Sequence, residues 1–302
     1  MKSYYHGDTK RPYFEGWYLK HQTKDGPALA LIPALHIDSN GQLTASLQVI
    51  SNHGSWWLDY PETAFHPSET PFRLQLGENT FSHRGVSLNI TRPDLSLCGE
   101  LRYGAFTSLK SHIMGPFRFF PHMECAHGVV SMGHSLTGQV NLNGELLDFS
   151  GGQGYIETDR GRSFPKPYLW TQCAWQDPQP TSLMLSIATI PLGPLGFTGC
   201  ICAILHGGKE YRLATYRGVR VEKWSETGAV IRQGKHRLEV ELLSGTGHPL
   251  KAPVQGAMGR TIHESLCSTI RYRFWAGETL LFDHTDPRAS FEYSDQAPKM
   301  GG

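Results

Sequence analysis

Apolar residues recur along this chain in short runs punctuated by Gly, Pro, Asn and Ser, and no stretch sustains a helical period for long. Tyr13-Phe14-Glu15-Gly16-Trp17-Tyr18-Leu19-Lys20 opens the pattern as an aromatic-rich extended segment. The runs 29–37 and 43–50 flank Asn40-Gly41, a dipeptide that favours a tight hairpin between apolar strands. Strand-like runs follow at 55–58, 72–76, 80–83, 86–90 and 95–103, while 106–114 reads as a short helix. Residues 129–140 then alternate, Asn143-Gly144 turns the chain and 145–149 return. The second half continues with runs at 169–175, 183–190, 197–205, 210–215, 219–224, 230–232 and 237–243, then 257–264, 270–275, 279–284 and 289–293. Short strands at regular spacing predict an all-β fold of mostly antiparallel barrels or sandwiches, not a parallel α/β sheet.

The pattern echoes itself. Tyr13-Phe14-Glu15-Gly16-Trp17 precedes an Asp-Gly-Pro turn and an apolar run, and Tyr168-Leu169-Trp170 precedes an Asp-Pro-Gln-Pro turn and another. Repetition across half the chain predicts two similar β-domains, 1–150 and 151–302, each opened by a Trp-bearing strand.

Composition narrows the function classes. The 302 residues carry 28 basic and 27 acidic side chains, a net charge of +1 without a long block of either sign. That supplies neither a nucleic-acid groove nor a polybasic membrane anchor. Charged residues are only 18%, whereas Gly (33) and Pro (19) are plentiful, as turn-rich β-proteins require. Six scattered cysteines form no Cys-x-x-Cys pair, which fits reduced thiols and a cytoplasmic protein. The stretch 178–208 has no Asp, Glu, Lys or Arg, but prolines and glycines break it. It reads as two apolar strands around a turn, not a transmembrane segment.

Candidate chemistry gathers at Gly151-Gly152-Gln153-Gly154-Tyr155-Ile156-Glu157-Thr158-Asp159-Arg160-Gly161-Arg162. On a strand, Tyr155, Glu157 and Asp159 project to one face, the pattern of a polar rim or of an acid site. Two such carboxylates repel, and in an apolar cavity one keeps its proton and can serve as a general acid. His122, Glu124 and His127 offer metal-ligand chemistry, but the spacing is not His-Glu-x-x-His, and a strand would set His127 opposite the other two. The expected roles for His127 and His134 are therefore hydrogen bonding or acid–base work, with no metal and no cofactor. Trp17, Tyr18, Trp56, Trp57, Trp170 and Trp175 serve either as core or as the lining of an apolar ligand site, where ring faces stabilise a cation, and Trp17, Trp170 and Trp175 are the expected lining. No Walker loop, dinucleotide fingerprint or nucleophile elbow is present.

Four pieces taken together, 14–20, 149–157, 161–165 and 169–172, resemble the tocopherol cyclase-like family. The family's run Tyr-x-Glu-Lys-Asn/Asp-Trp-Gly is matched at Tyr155, Glu157, Asp159 and Gly161, with Thr158 and Arg160 at the Lys and Trp positions. The resemblance implies two lipocalin-like β-domains and a related group that includes carotenoid hydratases. It also implies acid-initiated cyclisation or hydration of a prenylated or other isoprenoid substrate. Glu157 or Asp159 is the expected proton donor, tuned by Tyr155, Glu124 and His127. Glu15, Trp17, His134, Arg162, Trp170, Gln172 and Trp175 are the expected ligand-binding residues. The rival expectation is a non-catalytic carrier or sensor of a lipophilic molecule, in which Arg160 neutralises the acid row as an ion pair. The partner in either case is a hydrophobic small molecule, and a homodimer is allowed.

Overall fold

The structure, a computed structural model, describes residues 5–7, 12–24, 26–68, 70–120, 123–192, 195–245 and 247–295. It is all-β. The first sheet is built from β1 (Tyr13–Gln22), β2 (Ala28–Ile37), β3 (Leu43–Ser51), β4 (Gly54–Tyr60), β5 (Phe65–Ser68), β6 (Arg73–Leu76), β7 (Asn79–Ser82), β8 (Gly85–Thr91), β9 (Ser96–Tyr103), β10 (Cys125–Leu142), β11 (Glu145–Asp148) and β12 (Gln153–Gly161). The second contains β13 (Tyr168–Trp175), β14 (Thr181–Leu192), β15 (Leu195–His206), β16 (Lys209–Ala214), β17 (Arg220–Ser225), β18 (Gly228–Gln233), β19 (His236–Ser244), β20 (His248–Val254), β21 (Ala257–Ala276) and β22 (Thr279–Ser294).

The strand order is β4-β3-β2-β1-β12-β10-β9-β8-β7-β6-β5 in one sheet and β16-β15-β14-β13-β22-β21-β19-β18-β17 in the other, with β11 and β20 pairing off the path. Each sheet thus sets its opening strand between its second and its last. The two sheets share this order. Contacts divide the chain into Met1–Leu109, Cys125–Ser163 and Ala252–Arg260 as one compact unit, with Lys110–Glu124, Phe164–Lys251 and Thr261–Gly302 as the other. The first unit runs past residue 150 because β12 hydrogen-bonds β1 on one side and β10 on the other. A division at 150/151 would strip that strand of both partners.

Local sequence explains the turns. Asn143 and Gly144 take φ of 51° and 92°, so both central residues of the β10–β11 hairpin sit in the left-handed region that Asn-Gly tolerates. The expected hairpin over Asn40-Gly41 joins β2 to β3. The helix expected at 106–114 does not form. Thr107 instead donates its N–H to Gly133 O and accepts one from Met132 N on its carbonyl, tying the segment to β10. The uncharged stretch 178–208 forms the β14–β15 hairpin, and among the described residues no helix is long and apolar enough to cross a membrane.

Each unit has its own core. In the first, Trp17, Leu19, Leu31, Leu47, Phe81 and Ile156 pack on one face of the sheet. In the second, Leu169, Cys173, Trp175, Leu185, Tyr272 and Phe274 do so. Directly opposed residues in antiparallel strands share a face. The pairs Leu19↔Ile156 and Trp17↔Thr158 therefore mark the core face of β1 and β12, and Tyr18↔Glu157 and Lys20↔Tyr155 mark the other. That second face is buried too, since all ten residues of β1 are.

Candidate functional site

Tyr155, Glu157 and Asp159 lie on the face of β12 turned away from its unit's core. Tyr155 donates its hydroxyl proton to Glu157 Oε2 at 2.6 Å. His127 reaches the row from β10, where it is paired directly with Asp159. Its Nδ1 lies 2.9 Å from Asp159 Oδ1 and its Nε2 lies 3.4 Å from Glu157 Oε2, so one imidazole bridges both carboxylates. The Cys125 thiol also donates to Asp159 Oδ1, at 3.3 Å.

Electrostatics fix the protonation of this chain of groups. Burial is the largest single influence on His127 and pushes its pKa down, but the charges and hydrogen bonds of Asp159 and Glu157 together outweigh it. The imidazole is held well above its ordinary 6.5 and carries a proton at neutral pH. Burial first, and then the neighbouring Glu157 carboxylate, raises Tyr155 far above the usual phenol range. Burial and Asp159 do the same for the Cys125 thiol. Both remain donors. The repulsion expected between two carboxylates on one strand face is met by an imidazolium placed between them.

His127, Glu157 and Asp159 offer ligand atoms within 4.8 Å of one another. A cation held by all three would have to draw one ring nitrogen away from the carboxylate it now faces. The donor set fits a proton passed along a chain better than a chelate.

The other expected residues fall into separate places. Trp17 is 1% exposed on the core face, against Phe72, Phe65 and Tyr5, so it does not line the row. Glu15 shares that face and is fully buried, accepting the N–H groups of His6 and Gly7 and the hydroxyl of Tyr13. His134 also belongs to the core face, paired with Gly154. Its Nδ1 lies 3.0 Å from Ser131 Oγ, and its ring packs on Tyr103 and Phe106. Burial, then His21, lowers its pKa to about 3. Glu124 precedes β10, and among the described residues no hydrogen bond or ion pair joins it to the row. Arg162 is exposed beyond the end of β12. His122 lies outside the described residues.

In the second unit, Trp170 and Gln172 are buried on the face opposite that unit's core, whereas Trp175 is in the core, stacked on His284 at 4.1 Å. The two echoed tryptophans are therefore inverted: Trp17 points into its core and Trp170 away from its own. The ion pair expected between Arg160 and the acid row is not formed among the described residues. Strand alternation puts Arg160 on the face opposite Glu157 and Asp159, with Thr158, whose hydroxyl donates to Gly16 O.

Sequence reasoning read Tyr18 only as core or lining and passed over Lys20. Tyr18 and Lys20 oppose Glu157 and Tyr155 across β1 and β12 and are buried with them. The signal was available, because alternation within the first aromatic motif sets Tyr18 and Lys20 on one face. The second unit buries a like pair, with Tyr168 donating to Glu292 at 2.8 Å. Its partners are 124 residues apart in the chain, so no local pattern could reveal it.

A family model described as tocopherol cyclase-like matches residues 100–293. Over 182 residues the chain is 22% identical to a probable chloroplastic tocopherol cyclase of Oryza sativa subsp. japonica, covering 57% of this chain and 39% of that protein. The chain thus spans about two-fifths of that relative's length. Among solved structures, CghA with Sch210972 is similar with a TM-score of 0.58 at 11% identity, over 95% of this chain and 90% of that one. Kievitone hydratase from Nectria haematococca is similar with a TM-score of 0.56 at 10% identity, over the same shares. At such identities these two likenesses concern the fold alone.

Proposed function

The chain belongs to the tocopherol cyclase-like family, and from that membership we propose that it is an enzyme of the cyclase or hydratase type. Its substrate is a lipophilic molecule bearing an isoprenoid double bond. The observation that carries this reading is the His127 imidazolium bridging Glu157 and Asp159. A carboxyl of this set that carries a proton is a general acid beside the imidazolium. Asp159 is the donor in this reading, being the more exposed of the two carboxyls, with His127 and Cys125 both held on its Oδ1. Tyr155 and His127 hold Glu157 behind it.

The proton adds to the less substituted alkene carbon and leaves a tertiary cation. The substrate's own hydroxyl oxygen closes a ring on that cation, or water adds to it. The O–H proton then returns to the carboxylate, so the step is redox-neutral. A positioned general acid supplies about 10²- to 10⁴-fold of such a rate.

The carrier reading loses one support, because Arg160 sits on the opposite face of the strand from the acids. The test is turnover of a prenylated quinol by the wild-type protein, with loss of about 100-fold or more in Asp159→Asn and Glu157→Gln. Binding without turnover, unchanged in either variant, would overturn the enzyme reading and favour a carrier.

A further inference from the structure

The second unit carries a surface feature that the acid site does not use. Its segment 110–120 ends in a 3-10 turn, Gly115–Phe119, followed by Phe120. Phe119 is 72% and Phe120 57% exposed. Among the described residues the other large apolar side chains left exposed, Leu146, Leu243 and Leu280, stand singly. Single exposed apolar residues are ordinary, but two consecutive phenylalanines are a patch.

The turn is not loose. Arg212 is buried and donates to the carbonyl oxygens of Ser111 and His112, while holding Tyr216 Oη and Glu210. The Tyr216 hydroxyl donates to Ile113 O. Phe117 meets the rings of Tyr216 and Phe197, and Gly115 lies where any side chain would strike the Tyr216 ring. Arg212, Tyr216 and Phe197 thus fix the base while two rings are held out into solvent. Phe197 belongs to the β14–β15 hairpin, whose stretch 178–208 has no charged residue.

The rim is basic. Arg118 caps the Phe119 ring at 4.5 Å, and exposed Arg217 lies beside Tyr216. The segment 110–120 contains Lys110 and Arg118 and no acid. Two phenyl rings bury about 300–500 Å² at most, short of the roughly 800 Å² per partner of a stable protein interface. They suit insertion at the apolar edge of a lipid headgroup layer, with guanidinium groups on the phosphates.

We propose that this turn docks the protein on the surface of an anionic lipid bilayer, with Phe119 and Phe120 inserted and Arg118 and Arg217 on the headgroups. The docking is interfacial and leaves the strands in water. It does not depend on the chemistry assigned to Asp159.

Flotation of the full chain with vesicles tests it, using phosphatidylcholine alone and phosphatidylcholine mixed with phosphatidylglycerol. Wild type should float with the mixed vesicles and be released by high salt. Phe119→Ser/Phe120→Ser should lower partition about tenfold on both vesicle types. Arg118→Gln/Arg217→Gln should lower it about tenfold on the mixed vesicles alone. All four side chains are exposed, so circular dichroism and melting should be unchanged, and a variant that melts early is replaced by the single Phe119→Ser. Absence of wild-type flotation at low salt, or equal flotation of wild type and variants, overturns the proposal. So does a concentration-dependent dimer abolished by Phe119→Ser without vesicles, which would assign the patch to a second copy.

Discussion

Tyr155 and Glu157 stand two positions apart on β12, and the phenol donates to the carboxylate over 2.6 Å. Side chains so spaced on a strand project from one face about 7 Å apart at the backbone. The tyrosine must therefore lean along the strand to reach its neighbour. Glu157 is only 5% exposed, so water cannot replace that donor. The phenol keeps its proton because burial and the carboxylate both oppose its loss.

Tyr155→Phe should cost about 1.5–3 kcal/mol, the range for a hydrogen bond to a buried charged group. Urea unfolding measures it. A double-mutant cycle with Glu157→Gln should return a coupling of similar size. Additive losses in the cycle would mean that the two side chains do not act on each other.

How far the sequence could be read depends on what alternation encodes. The row on β12 was legible because a period of two needs no partner. The hairpins at Asn40-Gly41 and Asn143-Gly144 were legible because positive φ falls on Gly41, Asn143 and Gly144, residue types that tolerate it. The face of Trp17 was not, since all ten residues of β1 are buried and its alternation carries no inside–outside signal. Bulges blurred β10, whose register shifts between Val129 and Ser131 and again before His134. Ser131, four positions after His127, thereby joins His134 on the core face instead of facing the acids. Similar shifts run through β21, which the apolar pattern split into 257–264 and 270–275.

Stability should fall on both sides of neutrality, for opposite reasons. His21 and His36 have folded pKa values lowered to about 4, and His134 to about 3, burial being the main cause in each. The unfolded chain takes up these protons below 6.5 while the folded one does not. Stability is therefore full above 6.5 and lost as pH falls towards 4, with a slope of up to about 1.4 kcal/mol per pH unit for each histidine. His127 has the opposite sign. Its folded pKa is raised, so its contribution is complete below 6.5 and disappears as pH rises through the folded value. Urea unfolding across pH should show His134→Gln flattening the acid limb and His127→Gln flattening the alkaline one. An acid limb unchanged in His21→Gln, His36→Gln and His134→Gln would sink the burial account.

The three glycines of Gly151-Gly152-Gln153-Gly154 serve different ends, and alanine should separate them. Gly151 has φ of +76° with open space where a side chain would go, so Gly151→Ala should cost about 1 kcal/mol of backbone strain. A Cβ on Gly154 would overlap His134 Nε2, and one on Gly152 would overlap the Gln22 carbonyl oxygen and approach Phe149 O at 2.9 Å. Overpacking of this kind costs about 1–3 kcal/mol, with backbone neighbours least able to yield. The expected order of melting temperatures is Gly151→Ala above Gly154→Ala above Gly152→Ala. Equal losses at all three would show that the motif is a flexible turn and not a close approach of strands.

Glu15 ties the N-terminal residues to the first unit. Its carboxylate receives the N–H of His6 on both oxygens, the N–H of Gly7 and the Tyr13 hydroxyl at 2.7 Å, and His6 Nδ1 lies 3.0 Å away. A fully buried carboxylate is tolerable only with such a set of donors. Glu15→Gln keeps one acceptor oxygen and turns an amide N–H₂ towards groups that are themselves donors. Residues 5–7 should then detach, and Tyr5, which packs on Trp17 and Phe65, should leave with them. Hydrogen exchange at the His6 and Gly7 amides should speed up by about tenfold or more, because a charge-assisted bond of this type is worth about 1.5–3 kcal/mol. Exchange in the β13–β22 strands of the other unit should stay as it was. If His6 and Gly7 exchange no faster in Glu15→Gln, the carboxylate is not what holds the segment, and the packing of Tyr5 on Trp17 must be.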